Sequence, residues 1–367
     1  MAYTNFGIGM IIATQGGGAG VVNATVRDRV SGGGTILTAD GAILGDASAG
    51  IGSSGIDLGL GRKFRDLADL TGSFTKQFST FLLHEVKKFT VTTQMRGSGR
   101  APAGTGIDDD CNLATYFHAK NALLGAAGFT GVLLPSTPVG WRYKPTSAVP
   151  CTAKIWIGSG TSTYAIVLYD LYADLTISAE PGNVGIETWD LKGLVYSTNS
   201  TETFPTFDYQ LQSSISAPVV ELAAHSWGAG AVARGFESMS IKVANSITDT
   251  KDSNVAGGIA KKQTAREITM DANIYTESTA EAYDYDRIKA TVAGSDVATF
   301  AVVPWVGGVA QYVSIGAGIP QLAYKITLNC PDHLDAVPTK IGGNNGVKVS
   351  ARATAAATDT EMYIDFM

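Results

Sequence analysis

The sequence predicts a mainly β protein of antiparallel, hairpin-connected strands, with one α-helix in each of two domains. Three observations carry this. Long runs alternate apolar and polar residues: in 267–274, Ile268, Met270, Ala272 and Ile274 alternate with Glu267, Thr269, Asp271 and Asn273. A period of two is the pattern of a strand with one buried and one wet face. Short Gly-, Pro- and Asn-containing segments separate the runs, as hairpin connections require. The order of strand, helix, hairpin and returning strands then occurs twice along the chain.

The totals bound the rest. A chain of 367 residues suits two domains of ordinary size, each able to bury a core. Its 45% hydrophobic and 16% charged content is globular, and 43 glycines exceed the usual share of about 7%, so many turns and loops are expected. Acidic residues outnumber Lys and Arg by 33 to 27, a net charge of −6, which sets the chain apart from proteins that grip nucleic acid through its phosphates. Cys111, Cys151 and Cys330 are odd in number and far apart, so they read as core thiols in a reducing compartment rather than a disulfide framework. The start of the chain shows no basic leader or cleavage site, and no run approaches the 18 apolar residues of a membrane helix. A soluble protein made and kept in a cytoplasm is expected.

Residues 1–60 are a glycine-rich segment, with "QGGGAG", "SGGG" and "GDASAGIGSSG" clusters and no proline. Such a stretch buries little and loses much entropy on ordering, so an arm or a set of long loops that orders against a neighbour is expected, with Gly9–Ala13 and Thr35–Leu37 as short strand candidates. No Gly-Lys-Ser/Thr follows the glycines, so they are not a phosphate-binding loop.

A first domain is placed at 61–204. Its opening strand, 87–95, turns Phe89, Val91 and Met95 inward and Thr90, Thr92 and Gln94 outward. After a Gly/Pro loop comes a helix, with Asp108, Asp109 and Asp110 at its positive end, Leu113, Tyr116, Phe117 and Leu124 on one stripe, and Gly125 and Gly128 ending it. Two runs between 151 and 171 flank a Gly158-Ser159-Gly160 turn. Ala173, Leu175, Ile177 and Ala179 then mark an inward face, and after a Pro181-Gly182-Asn183 turn Trp189, Leu191 and Val195 mark another.

The join is the Ser/Thr-rich segment 197–207, and the second domain is placed at 205–367. It opens with a strand carrying Met239, Ile241 and Val243 inward, followed by the strand 265–277. A helix over 278–294 is expected from the capping-box spacing of Ser278 and Glu281 and a stop at Gly294. Runs at 296–305, 309–316 and 322–330, an Asn345-Gly346 turn and runs at 347–354 and 361–367 complete it.

No catalytic constellation is present, and the chain does not read as an enzyme. His84, His118, His225 and His333 form no paired metal-ligand spacing, and the proline-turn cluster "NCPDHLD" lacks a distant partner pair. Ser226 in "AHSWGAG" lacks the nucleophile-elbow glycines and reads as a loop with Trp227 as anchor. Glu267 and Asp271, four apart on a strand, lie roughly 13 Å apart, too far for a glycosidase pair. No cofactor and no metal are expected.

The segments "FESMSIKVANSITDTKDSNVAGGIAKKQTAREITMDANIYTE" and "CTAKIW…YDLYADLTISAEPGNVGIETWDLKGLVYS" carry a resemblance, over roughly residues 85 to 300, to the major tail tube proteins of long-tailed bacteriophages. It lies in the order and character of segments rather than in an invariant motif. The resemblance implies a β-sandwich or open-barrel fold with a flanking helix in each domain, and a virion structural protein, assembled in the host cytoplasm and located in the tail. Its rings, hexameric or trimeric with two fused tube domains, would stack into a hollow tube through which DNA passes without specific binding. Its partners would be other copies of itself and the tape-measure, terminator and distal tail proteins. A sheet of each subunit would line the channel. Thr90, Thr92, Gln94, Glu267, Thr269, Asp271 and Asn273 are the expected lumen-facing residues of a polar, mildly acidic face that repels phosphates, with Asp174 and Glu180 as alternatives. Arg96 and Arg266 would oppose the idea if they pointed there. Two other readings stay open: a distal tail or tail-terminator protein that forms a single ring, and a secreted polysaccharide-binding β-sandwich with Trp141, Trp156, Trp189, Trp227 and Trp305 as stacking platforms.

Overall fold

The alternation that marks the sequence becomes a cross-strand row in the computed structural model: Val91, Trp189, Leu175, Val243 and Ile268 stand opposite one another on five adjacent strands and are all buried. The structure describes residues 7–15, 21, 36–37, 56–69, 77–94, 118–134, 140–159, 162–180, 186–202, 207–208, 221–222, 226–227, 232–233, 236–252, 259–275, 297–303, 305–306, 309–310, 324–329, 331–353 and 360–366. Strands take 83% of the interpretable structure and helix 5%, which makes the chain mainly β, as the sequence predicts.

In chain order the elements are β1 (Gly7–Thr14), β2 (Ile36–Leu37), β3 (Ile56–Asp69), β4 (Gln77–Gln94) and α1 (His118–Ala126). There follow β5 (Phe129–Leu134), β6 (Gly140–Pro145), β7 (Cys151–Ser159), β8 (Ser162–Ala179) and β9 (Ile186–Glu202). Four two-residue strands, β10 (Phe207–Asp208), β11 (Glu221–Leu222), β12 (Ser226–Trp227) and β13 (Val232–Ala233), precede the long hairpin of β14 (Phe236–Lys251) and β15 (Ile259–Tyr275). Last come β16 (Val297–Val303), β17 (Trp305–Val306), β18 (Val309–Ala310), β19 (Tyr324–Asn329), β20 (Pro331–Ile341), β21 (Asn344–Ala353) and β22 (Met362–Phe366).

The larger sheet has ten strands, ordered β20-β21-β15-β14-β8-β9-β4-β3, with β7 on β8 and β1 on β7. The second has eight, ordered β13-β12-β16-β19-β22-β6-β5, with β11 on β16. Segments 61–204 and 205–367 meet in both: β8 pairs with β14, and β6 pairs with β22. On the latter pair Arg142 grips Asp365 in a two-pronged ion pair of 2.8 and 2.9 Å. A single apolar cluster joins Ile241 and Met270 of the larger sheet to Ile326, Ile364 and Tyr143 of the second and to Leu123 and Leu124 of α1.

Several local expectations meet different geometry. Within the glycine-rich first 60 residues, β1 is a core strand, paired with β7 along its whole length and burying Met10 and Ile12. The runs on either side of residue 171 are one strand, β8, interrupted by a slip in its pairing with β9 between Tyr169 and Tyr172. The last hairpin turns at Gly342-Gly343 rather than at Asn345-Gly346. Both glycines have positive φ, 56° and 91°, as a tight primed turn demands. Gly346 lies in the strand instead, where an added Cβ would meet Ile341 Cδ1 at 2.2 Å. "PDHLD" is part of β20 rather than a proline turn, and Ser226-Trp227 pairs with both β13 and β16 rather than forming a loop.

The described part of the helix is His118–Ala126, with Leu124 buried as expected. Gly128, at φ 87°, follows its end, while Gly125 sits in the last turn and its carbonyl accepts from Gly128 N–H at 3.0 Å and Val149 N–H at 2.9 Å. Asp108–Asp110, Leu113, Tyr116, Phe117, Arg96 and the helix expected at 278–294 lie outside the described residues. Among the described residues, no helix is long and apolar enough to cross a membrane.

Candidate functional site

One residue along from the buried row is a polar one. Thr92, Thr188, Thr176, Lys242, Thr269 and Arg352 stand opposite one another on β4, β9, β8, β14, β15 and β21. Alternation within each strand and register between strands together put every member on the face away from the core. A parallel row runs Gln94, Ile186, Ser178, Ser240, Asp271 and Ser350, and a shorter one Thr90, Asp190 and Asp174. The seven residues expected to share a face therefore occupy register positions on one face of one sheet. Strand spacing of about 4.8 Å puts β4 and β15, four steps apart, roughly 19 Å from each other.

Their side chains are tied sideways. Thr90 Oγ1 donates to Asp190 Oδ1 at 2.8 Å, and Asn273 Nδ2 donates to Ser238 Oγ at 3.0 Å and to Glu237 Oε2 at 3.3 Å. Ser350 Oγ donates to Asp271 Oδ1, and Glu267 meets Arg352 at 3.5 Å. Both members of that last pair are about half exposed, so it orders the face more than it stabilises the fold. Short side chains at Ser178 and Ser240, with Ser238, Asp271, Asn273 and Lys348 around them, leave an open depression of about 520 Å³.

The face is not the acidic surface that β15 alone suggests. Asp174 joins it beside the other candidates rather than instead of them, but Lys242, Lys348 and Arg352 from the neighbouring strands interleave with Glu267, Asp271, Asp174 and Asp190. Sequence reasoning centred on β15 missed these bases because their register partners are set by pairing across the chain. Their signal was the polar half of the alternation in 238–242 and 348–352.

Arg266 shares the core side of β15 with Ile268. It donates to Gly128 O at 3.0 Å and Thr146 O at 2.7 Å and pairs with Glu361, so it does not enter the polar face. Trp156 and Trp189 are 1% and 0% exposed, which removes both as sugar-stacking platforms. Cys151 is fully buried, burial pushes its thiol pKa up, and its Sγ lies 3.6 Å from Leu171 O, as befits a core thiol. Among the described residues, no three His, Cys, Asp or Glu side chains converge as a metal site.

Asp174 has a raised pKa. Partial burial is the main cause, and Asp190 adds to it; the Asn245 N–H at 2.6 Å and the charges of Lys242 and Lys192 oppose it. The folded chain thus takes up this proton more readily than the unfolded one. Asp174 favours folding once protonated, and that contribution is lost as pH rises through the raised value from the ordinary 3.8. Asp174→Asn keeps an acceptor for Asn245. It is expected to melt above the wild type at pH 7, with the gap closing as pH approaches 4; thermal melts of both across that range check it.

No family model matches the chain, and a search of curated proteins finds no significant match.

Proposed function

We propose that the chain is a structural, self-assembling protein of a long-tailed phage virion, a tail tube subunit whose ten-stranded sheet turns its polar face to the channel. The observation that carries this reading is a face across six strands that is polar except at Ile186, rich in hydroxyls and balanced in charge, backed by an apolar core. A conduit for DNA needs a wet wall that offers phosphates no dense cationic track, since each added Lys or Arg contact strengthens retention. Lys242, Lys348 and Arg352 are each set among hydroxyls and carboxylates, and the facing pair Lys88 and Lys192 adjoins Thr90 and Asp190, so positive charge is interleaved with negative rather than gathered in one track.

The sheet's edges support assembly. β3 and β20 end the main path of the ten-stranded sheet and β1 ends its branch on β8, and edges left free invite uncontrolled pairing unless a neighbour covers them. β20 carries Pro331 and Pro338 and a pairing irregularity between His333 and Asp335, features that blunt unprogrammed addition while subunits are free. In the ring, each edge is covered by the next copy, and contacts repeated along the axis stack the rings. Other tail proteins then meet the tube only at its ends and inside it.

Negative-stain electron microscopy of the purified chain, at rising concentration, tests the reading. Hollow rings stacked into striated tubes are expected, with threefold or sixfold averages giving the subunit number. Rings that never stack would assign the chain to a distal or terminator position. A monomer that binds glycans would overturn the assignment.

A further inference from the structure

β8 changes neighbours halfway along. Its stretch up to Leu171 pairs with β7, whereas Leu175–Ala179 pairs with β14. At the handover the register with β9 slips, and Asp170 adopts φ 50°, a left-handed conformation that is unfavourable for a non-glycine residue. A strand that slips loses ladder hydrogen bonds, and buried backbone groups need substitutes.

Gln15, the residue after β1, supplies them. It is 2% exposed; its Oε1 accepts from Asp170 N–H at 3.0 Å and Thr152 Oγ1 at 3.4 Å, and its Nε2 donates to Asp170 Oδ1 at 2.6 Å. Its own N–H donates to Pro150 O at 3.0 Å. Two residues beyond Asp170, Tyr172 Oη donates to the carbonyl of Lys261 on β15 at 2.9 Å. The fully buried ammonium of Lys261 pairs with Asp249 on β14 at 2.7 Å. A continuous set of contacts thus joins the N-terminal strand to the outer part of the β14–β15 hairpin, whose inner part carries the candidate polar face.

We propose that β1 is a latch: its seating and the closure of the outer hairpin, residues 246–251 and 259–265, are coupled through Gln15, Asp170 and Tyr172. The glycine-rich segment that follows β1 in sequence then has a defined starting point on the subunit, and a chain with β1 unseated presents a loosened hairpin. Coupling of this kind is reciprocal: what loosens one end loosens the other.

Amide hydrogen exchange on the full chain tests it, comparing wild type, Gln15→Ala, Tyr172→Phe and the double variant. Tyr172→Phe is expected to speed exchange about tenfold, the effect of one buried hydrogen bond, and Gln15→Ala, which removes three, by more than that, each both in 7–14 and in 246–251 with 259–265. Exchange in the β4–β9 pairing stays as in wild type. The double variant matches the larger single effect rather than the product. The proposal is overturned if each variant loosens only its own segment or if the two effects multiply. Should Gln15→Ala fail to fold, Tyr172→Phe, which removes a single hydroxyl, decides alone: faster exchange in 7–14 upholds the coupling, and unchanged exchange there removes it.

Discussion

Arg266→Ala is expected to lower the unfolding free energy by about 3–5 kcal/mol, the range for breaking a largely buried ion pair and leaving its partner uncompensated. The side chain is 12% exposed and that of Glu361 15%. From β15 of the larger sheet this one guanidinium meets three other segments: the carbonyl of Gly128 after α1, that of Thr146 after β6, and Glu361 ahead of β22 in the second sheet. Its planar fork reaches all three at once, which a lysine ammonium cannot do. Arg266→Lys should therefore recover less than half of the loss. Domains of this kind are stable by only about 5–15 kcal/mol, so the alanine variant sits near the folding threshold. Urea unfolding gives the answer: a fall in midpoint at unchanged slope locates the effect in the native clamp, and an unfolding free energy within about 0.5 kcal/mol of wild type would mean the guanidinium is a bystander.

Arg266 also shows what the sequence made legible and what it did not. Alternation alone orients a strand residue relative to its own neighbours, so Ile268, Met270, Ala272 and Ile274 could be assigned to the core and Glu267, Thr269, Asp271 and Asn273 to the opposite face from one short stretch. The same reasoning placed Phe89 and Val91 against Thr90 and Thr92, and both assignments match the burial. The turn between β7 and β8 was equally local. Sheet membership was not, because pairing between β6 and β22 or between β8 and β14 joins segments whose separation leaves no local trace. Thus the two halves read as successive units, although their strands share both sheets. Turn chemistry failed where two signals competed: Asn345-Gly346 resembles a hairpin turn, but Gly342-Gly343 offers two residues free to take positive φ, and Gly346 is needed where Ile341 crowds its α-carbon. The charge of the face was misjudged for a related reason. The acids of β15 were visible on one strand, while the bases that offset them arrive on β14 and β21 and, as Lys88 opposite Lys192, on β4 and β9.

That balance leads to the other large effect. On the proposed function the wild-type face should show no measurable hold on duplex DNA, whereas four lysines in place of Thr92, Glu267, Thr269 and Asp271 are expected to give binding at about 10⁻⁴–10⁻⁶ M in physiological salt, the range of non-specific electrostatic binding. The substitutions fall on partly or fully exposed positions, and the one described ion pair they remove, Glu267 with Arg352, is solvent-screened, so the fold should tolerate them. If all four lysines meet phosphates, the logarithm of the binding constant should fall against that of salt with a slope near −3.6, a loss on the order of 10²-fold between 50 and 200 mM. Titration of a fluorescent duplex into the free chain at several salt concentrations measures both quantities. A wild-type chain that already binds with a slope of this size would refute the non-gripping face. A lysine variant that gains the slope, and whose assemblies retain DNA, would tie the evenly spaced charges of β14, β15 and β21 to passage rather than to solubility, because the wild-type surface already carries enough charge to remain hydrated.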